Sequence, residues 1–280
     1  MHAESCGQTP NRRVRRRPWL VLSLLAVVVI TIAFSVTAGC DEGCSDAPTE
    51  TQDDSFTVGD SPKVVVITSN GGIKVNAGSD NEVRVQATLR EPDRIDYTVS
   101  PVGDTITVEA KARSGGPWTG CMSAEITVTA PARTDVDLKT SNGAIELDAI
   151  EGSGKLTTSN GKIVLDNVKG NFEGRTSNGE VDARGVIGEF DLGTSNGRIS
   201  FHGELTAGGS NRLVTSNGSV DVELLGTPSV SLEATTSNGD ITSELPMTDA
   251  LIEDDRIVGT VGDGEANLYI STSNGDVTIR

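Results

Sequence analysis

Glu180 and Asp182 stand two residues apart in a β-like run, and alternate residues of a strand share a face. Two carboxylates on one face are the minimum apparatus for acid and base work on a glycosidic bond. A working pair should belong to a wider constellation. The residue after each repeated Asn-Gly dipeptide is Gly72, Ala144, Lys162, Glu180, Arg198, Ser219, Asp240 or Asp276, a mixed series without a recurring acid pair. Glu180 and Asp182 therefore read as solvated surface charge. Asp254, Asp255 and Asp263 could offer oxygen ligands to calcium, but a calcium-binding β-roll repeats its aspartate about every nine residues, and no such recurrence is present. His202, beside Phe201, has no companion His, Cys or nucleophile and reads as a surface strand residue. The Ser and Thr residues recur at every turn, whereas a catalytic serine need occur once. No catalytic set, metal-ligand pattern or cofactor motif emerges.

The cysteines carry the other candidate chemistry. A basic cluster, Arg12, Arg13, Arg15, Arg16 and Arg17, precedes the uncharged run Trp19 to Ala38, which marks residues 1–39 as a signal peptide or membrane anchor. The run ends Val36-Thr37-Ala38-Gly39-Cys40, similar to a bacterial lipoprotein processing site, with Thr37 where that site most often has Leu. Lipidation of Cys40, an uncleaved helix and plain secretion all remain open. Positive charge ahead of the apolar run exports everything after it, so the body is expected on the membrane but outside the cytoplasm. There disulfides persist. Cys44 and Cys121 are the available pair, and two unpaired thiols are the alternative.

The chain has 280 residues, 40 Asp+Glu, 23 Lys+Arg and a net charge of −17. Residues 1–39 hold five Arg and one Glu, so the exported part carries 39 acids against 18 bases, or −21. That balance excludes nucleic acid as a partner, because phosphate binding needs clustered cations. Residues 40–55 are polar and lack apolar periodicity, which reads as a tether.

Thr-Ser-Asn-Gly occurs eight times, with its asparagines at Asn70, Asn142, Asn160, Asn178, Asn196, Asn217, Asn238 and Asn274. The spacings are 72, 18, 18, 18, 21, 21 and 36, a solenoid period with three-residue insertions. Three residues after each Asn stands Ile73, Ile145, Ile163, Val181, Ile199, Val220, Ile241 or Val277, always β-branched. Each unit is strand, tight turn, strand. Isolated Asn-Gly turns suggest hairpins, but a fixed period predicts an all-β solenoid of 18–21 residues per coil, with the asparagines stacked as a hydrogen-bonded ladder. A second bend falls near Gly152, Gly170, Gly188 and Gly208. Residues 134–280 form the repeat domain, and 56–133 a less regular β-rich cap, in which Trp118 covers the solenoid end or serves as a binding anchor. The segment from Asn238 to Asn274 reads as a double-length coil. About 12 coils would give a rod near 58 Å at roughly 4.8 Å per coil. Nine aromatic residues suit a core too narrow for stacked rings. The C-terminal strand Val277-Thr278-Ile279-Arg280 ends without a polar cap, an open edge that suggests end-to-end self-association.

The approach Ala130-Pro131-Ala132-Arg133-Thr134, the iterated Thr-Ser-Asn-Gly-x-Ile/Val and the closing Gly262-Asp263-Gly264 resemble the bacterial "putative adhesin" family of β-strand repeats over residues 60–280. The resemblance implies a β-solenoid at the cell envelope and carries no catalytic motif. Together these features predict a non-enzymatic, envelope-anchored, adhesin-like protein that meets an unknown envelope or surface component. A carbohydrate-active β-helix enzyme, and a self-assembling structural or envelope-stress sensor, are the alternatives.

Overall fold

The computed structural model describes Cys44, residues 47–79, 81–113, Pro117 and residues 120–280. The export segment, Cys40 and Trp118 lie outside the described residues. Among the described residues no helix is long and apolar enough to cross a membrane.

The order begins with β1 (Thr49–Thr57), β2 (Lys63–Ile67) and β3 (Ile73–Ala77), the last two joined by the first Thr-Ser-Asn-Gly corner. β4 (Glu82–Arg90), β5 (Ile95–Val102), β6 (Thr105–Ala112) and β7 (Ser123–Ala130) follow without the tetrapeptide. The regular coils run through β8 (Asp135–Lys139), β9 (Ile145–Asp148), β10 (Glu151–Thr157), β11 (Ile163–Asp166), β12 (Lys169–Arg175) and the long β13 (Val181–Gly193). Then come β14 (Ile199–Leu205), β15 (Ser210–Val214), β16 (Val220–Leu224), β17 (Val230–Thr235) and β18 (Ile241–Ser243). β19 (Thr248–Ile252), β20 (Arg256–Val261), β21 (Ala266–Ser271) and β22 (Val277–Ile279) complete the order.

The architecture is an all-β solenoid with two parallel faces. Arms entering the corners stack as β6, β2, β8, β10, β12, β13, β15, β21, β17. Arms leaving them stack as β7, β3, β9, β11, β13, β14, β16, β22, β18. Nine arms per face make nine coils, roughly 38 Å of stack at ~4.8 Å per step. The 12-coil expectation fails because residues 82–102 and 248–261 form antiparallel flanking strands instead. β4 and β1 extend beyond β7, β5 lies outside β6, and β20 and β19 lie outside β17.

Spatial order departs from chain order at both ends. The coil of β2 and β3 lies between the outer coil of β6 and β7 and the coil of β8 and β9, so residues 56–133 are not a separate cap. The coil of β21 and β22 lies between those of Asn217 and Asn238, so the segment from Asn238 to Asn274 is not one double-length coil. The C-terminal strand expected to be an open edge is paired on both sides, by β16 and β18. Three of the four edges are poor templates for pairing: β5 carries Pro101, β19 is irregular, with Asp249 at φ 50°, and β18 has only three residues. The expected tether is also partly structured. Thr49–Thr57 pairs along its length with β4 and buries Phe56; an edge strand with one neighbour needs little apolar alternation, which hid it in the sequence.

The core follows the register. Ile73, Ile145, Ile163, Val181, Ile199, Val220 and Val277 form one continuous buried column. The rings of Phe172 and Phe190 stack at 6.2 Å and 15°, and Phe201 meets Phe190 edge-on at 5.4 Å. The core thus does take stacked rings, at a cost in side chains: a Cβ on Gly154 would lie 2.6 Å from the Phe172 ring. In the next coil the same column holds Asn211, buried, which accepts from Phe190 N–H at 2.8 Å and donates to the Asn267 carbonyl at 3.2 Å. Its amide bridges the neighbouring strands where the three-residue insertion loosens the ladder. Gly152, Gly170 and Gly188 stack in register at the second bend, whereas Gly208 sits out of that column in the inserted turn.

Candidate functional site

Every residue of the tetrapeptide has a separate task at the corner. The Thr hydroxyl is buried and donates to the Gly carbonyl of the adjacent coil, as from Thr158 to Gly143 at 3.0 Å and from Thr176 to Gly161 at 2.9 Å. It also accepts from its own Gly N–H, as from Gly179 to Thr176 at 3.2 Å. The Ser carbonyl receives the Asn N–H of the next coil, Asn178 to Ser159 at 2.9 Å. Glycine is required by close approach. A Cβ on Gly179 would lie 1.8 Å from the Gly161 carbonyl oxygen, and one on Gly161 would lie 1.7 Å from that of Gly143.

The asparagine side chains form a ladder from Asn142 through Asn160, Asn178, Asn196, Asn217 and Asn274 to Asn238, with Nδ2 to Oδ1 distances of 2.7 to 3.0 Å. Asn70 departs from the expected ladder and donates to the Met122 carbonyl at 2.6 Å, because the outer coil has no tetrapeptide to supply an amide.

Cys44 and Cys121 are joined as a disulfide, with Cα atoms 5.3 Å apart. The bond fixes the point where the N-terminal segment meets the body to the loop that leads into β7, at one end of the stack.

The outer surfaces of the two faces carry the side chains that a partner would meet. Ion pairs run from coil to coil: Lys155 with Glu173 at 3.0 Å, Lys169 with Glu151 at 3.1 Å, and Lys74 with Glu146 at 3.3 Å. Exposed pairs of this kind contribute only ~0–1 kcal/mol each. On the entering face, Lys63, Asp137, Asn171 and Glu189 line a groove of about 500 Å³.

Asp182, on the leaving face, departs from the sequence reading. It is buried, while its supposed partner Glu180 is exposed. Lys162 Nζ lies 3.0 Å from its Oδ2, and Arg184 bonds the same oxygen. Alternation alone could not reveal this, because the covering groups come from the adjacent coil and from a bulge at Gly185. His202 faces Glu223 at 3.5 Å across that surface. Asp254, Asp255 and Asp263 are all exposed in turns, and among the described residues no group of three His, Cys, Asp or Glu is arranged to hold a metal.

Perturbed titrations gather at the N-terminal edge. The Arg84 hydrogen bond holds the Asp53 carboxyl below its usual range, and burial raises that of Asp54. Burial, reinforced by the charges of Asp54 and Asp53, pushes the Tyr97 phenol well above its ordinary value, and its buried oxygen has no hydrogen-bond partner.

No curated protein matches the chain. Among solved structures it is similar to a "putative cell adhesion protein" from Clostridium sporogenes, at 11% identity and TM-score 0.36, covering 82% of this chain and 99% of that one. It is also similar to a "putative adhesin" from Bacteroides fragilis, at 11% identity and TM-score 0.36, covering 83% and 97%. A "putative lipid binding protein" from Parabacteroides distasonis gives 13% identity and TM-score 0.38, covering 83% and 97%. The model of the Toastrack DUF4097 family matches residues 123–280, more than half of the sequence and most of the stack just described. The chain belongs to the Toastrack DUF4097 family.

Proposed function

We propose that the protein is a non-enzymatic, adhesin-like interaction module, anchored to the membrane through its N-terminal segment and displayed outside the cytoplasm. The observation that carries this reading is the attachment geometry. The Cys44–Cys121 disulfide ties Cys44, which follows the proposed anchor closely in sequence, to one end of a nine-coil stack, leaving the outer surfaces of both faces clear along its length. A disulfide suits an oxidising compartment, and the Arg cluster ahead of the apolar run supports export. Lipidation at Cys40 supplies the anchor. From Thr140 onward the tetrapeptide Thr hydroxyls and Asn amides are occupied in holding coils together, which leaves the strand-face residues to meet the partner.

Deleting the gene from the producing cell and restoring it on a plasmid tests the reading. Reduced surface attachment or altered envelope integrity, rescued by the intact gene, is the expected result. Unchanged attachment and envelope integrity in the deletion strain would contradict it.

A further inference from the structure

We propose that the leaving face carries a saccharide site with Asp182 at its floor, a deepening that rests on the surface-interaction reading above. Asp182 alternates with core-facing Val181 and Ala183, so it projects outward, yet its side chain is only 8% exposed. Lys162 and Arg184 close over Oδ2, while Oδ1 is buried and without a hydrogen-bond partner. A buried carboxylate oxygen without a partner keeps acceptor capacity that a ligand donor entering the cavity can complete.

Asp182 lines a cavity of about 270 Å³ together with Ser200, His202, Asp221, Glu223 and Arg280. The solenoid register assembles them. Asp182, Ser200 and Asp221 are consecutive members of one outward column, and Arg184, His202 and Glu223 of the next. A bulge shapes the wall: the register shifts between Arg184 and Val186, with Gly185 at φ 60°. Bulges re-aim neighbouring side chains, and here Arg184 turns back onto Asp182.

The chemistry selects the ligand class. Lys162 and Arg184 already outweigh the single charge of Asp182, so Oδ1 needs a neutral donor. Carboxylates that accept (Asp221, Glu223) share the cavity with groups that donate (Arg280, His202), held in loose ion pairs at 3.5 to 3.7 Å that a ligand hydroxyl can enter, and Ser200 does both. Neighbouring hydroxyls, each both donor and acceptor, fit that arrangement. The volume lies just below the range for drug-sized pockets, suited to one sugar ring.

The test is titration of the full-length protein with glucose, galactose, N-acetylglucosamine and their disaccharides, followed by ligand-observed NMR and calorimetry. Saturable binding of at least one of them is expected, in the millimolar range typical of a few hydrogen bonds at one small site. Asp182→Asn and Ser200→Ala should each weaken it, Asp182→Asn by about tenfold or more, while Thr98→Ala on the other face leaves it unchanged. If Asp182→Asn fails to fold, the half-buried Ser200 position carries the test alone. Absence of binding to every saccharide, or equal binding by wild type and a folded pocket variant, overturns the proposal. Attachment of cells carrying Asp182→Asn separates the two levels. Normal attachment together with absent saccharide binding removes this site and leaves the surface reading standing, whereas normal attachment of the deletion strain removes the surface reading itself.

Discussion

Asn274 donates from Nδ2 to Oδ1 of Asn217 at 2.9 Å across a sequence separation of 57, and Asn238 donates in turn to Asn274 at 3.0 Å. The last coil of the chain is therefore an internal coil of the stack. In a solenoid each coil is held mainly by its two neighbours, so the C-terminal residues bind the Asn238 coil to everything before it.

Val277→Asp tests this dependence. Val277 is fully buried, and an unpaired charge there should cost more than ~4 kcal/mol. Hydrogen exchange should show protection lost across residues 226–280 while the coils around Asn160 and Asn178 stay protected. Uniform protection would contradict the intercalated order.

The corner predicts a graded series. Gly179→Ala forces a Cβ to within 1.8 Å of a backbone oxygen and should cost at least ~3 kcal/mol, since that oxygen belongs to the stacked coil and cannot yield alone. Thr176→Val removes two hydrogen bonds in a buried place and should cost ~1–3 kcal/mol. Gly208→Ala, with open space but φ +78°, should cost only ~1–2 kcal/mol. Denaturant unfolding of the three variants gives the order, and a Gly208→Ala cost equal to that of Gly179→Ala would refute the close-approach explanation.

The Cys44–Cys121 bond closes a separation of 77 residues. Chain-entropy reasoning puts its contribution at up to about 4.5 kcal/mol, concentrated at the end that contains β1 and β7. Reduction with dithiothreitol should lower the melting temperature and raise protease sensitivity near Thr49. Identical melting with and without reductant would assign the bond no stabilising role.

Tyr97 predicts an alkaline limit. Its folded pKa is raised above the ordinary 10.0, so the folded state holds the proton more tightly than the unfolded one. The associated stability is fully present below pH 10 and is lost as pH climbs above it toward the folded value. Tyr97→Phe should flatten that decline and also remove a buried hydroxyl without a partner. Equal alkaline slopes for wild type and Tyr97→Phe would show that another group sets the limit.

Much of the solenoid was legible because its signal is periodic. The β-branched residue after each Asn-Gly and the 18-residue step led directly to the buried column from Ile73 to Val277. Coil order was not legible, since Asn70 to Asn142 and Asn238 to Asn274 differ from neighbouring repeats only in spacing, and spacing is silent on which coil slots between which. In the sequence, glycine at the corner signals only a turn, whereas in the structure its neighbour is another backbone 18 residues away. Asp182 escaped because burial of an outward carboxylate depends on Lys162 in the adjacent coil and on the bulge at Gly185, neither of which alters period-2 alternation.

Retention of the full-length protein on purified cell-envelope polysaccharide, with simultaneous analysis of low-mass products, tests the central claim most directly. Saturable retention with no released oligosaccharide is the predicted result. Released oligosaccharide would make the protein an enzyme and contradict the account, whereas absence of retention would remove the saccharide site and leave the surface reading to the deletion strain.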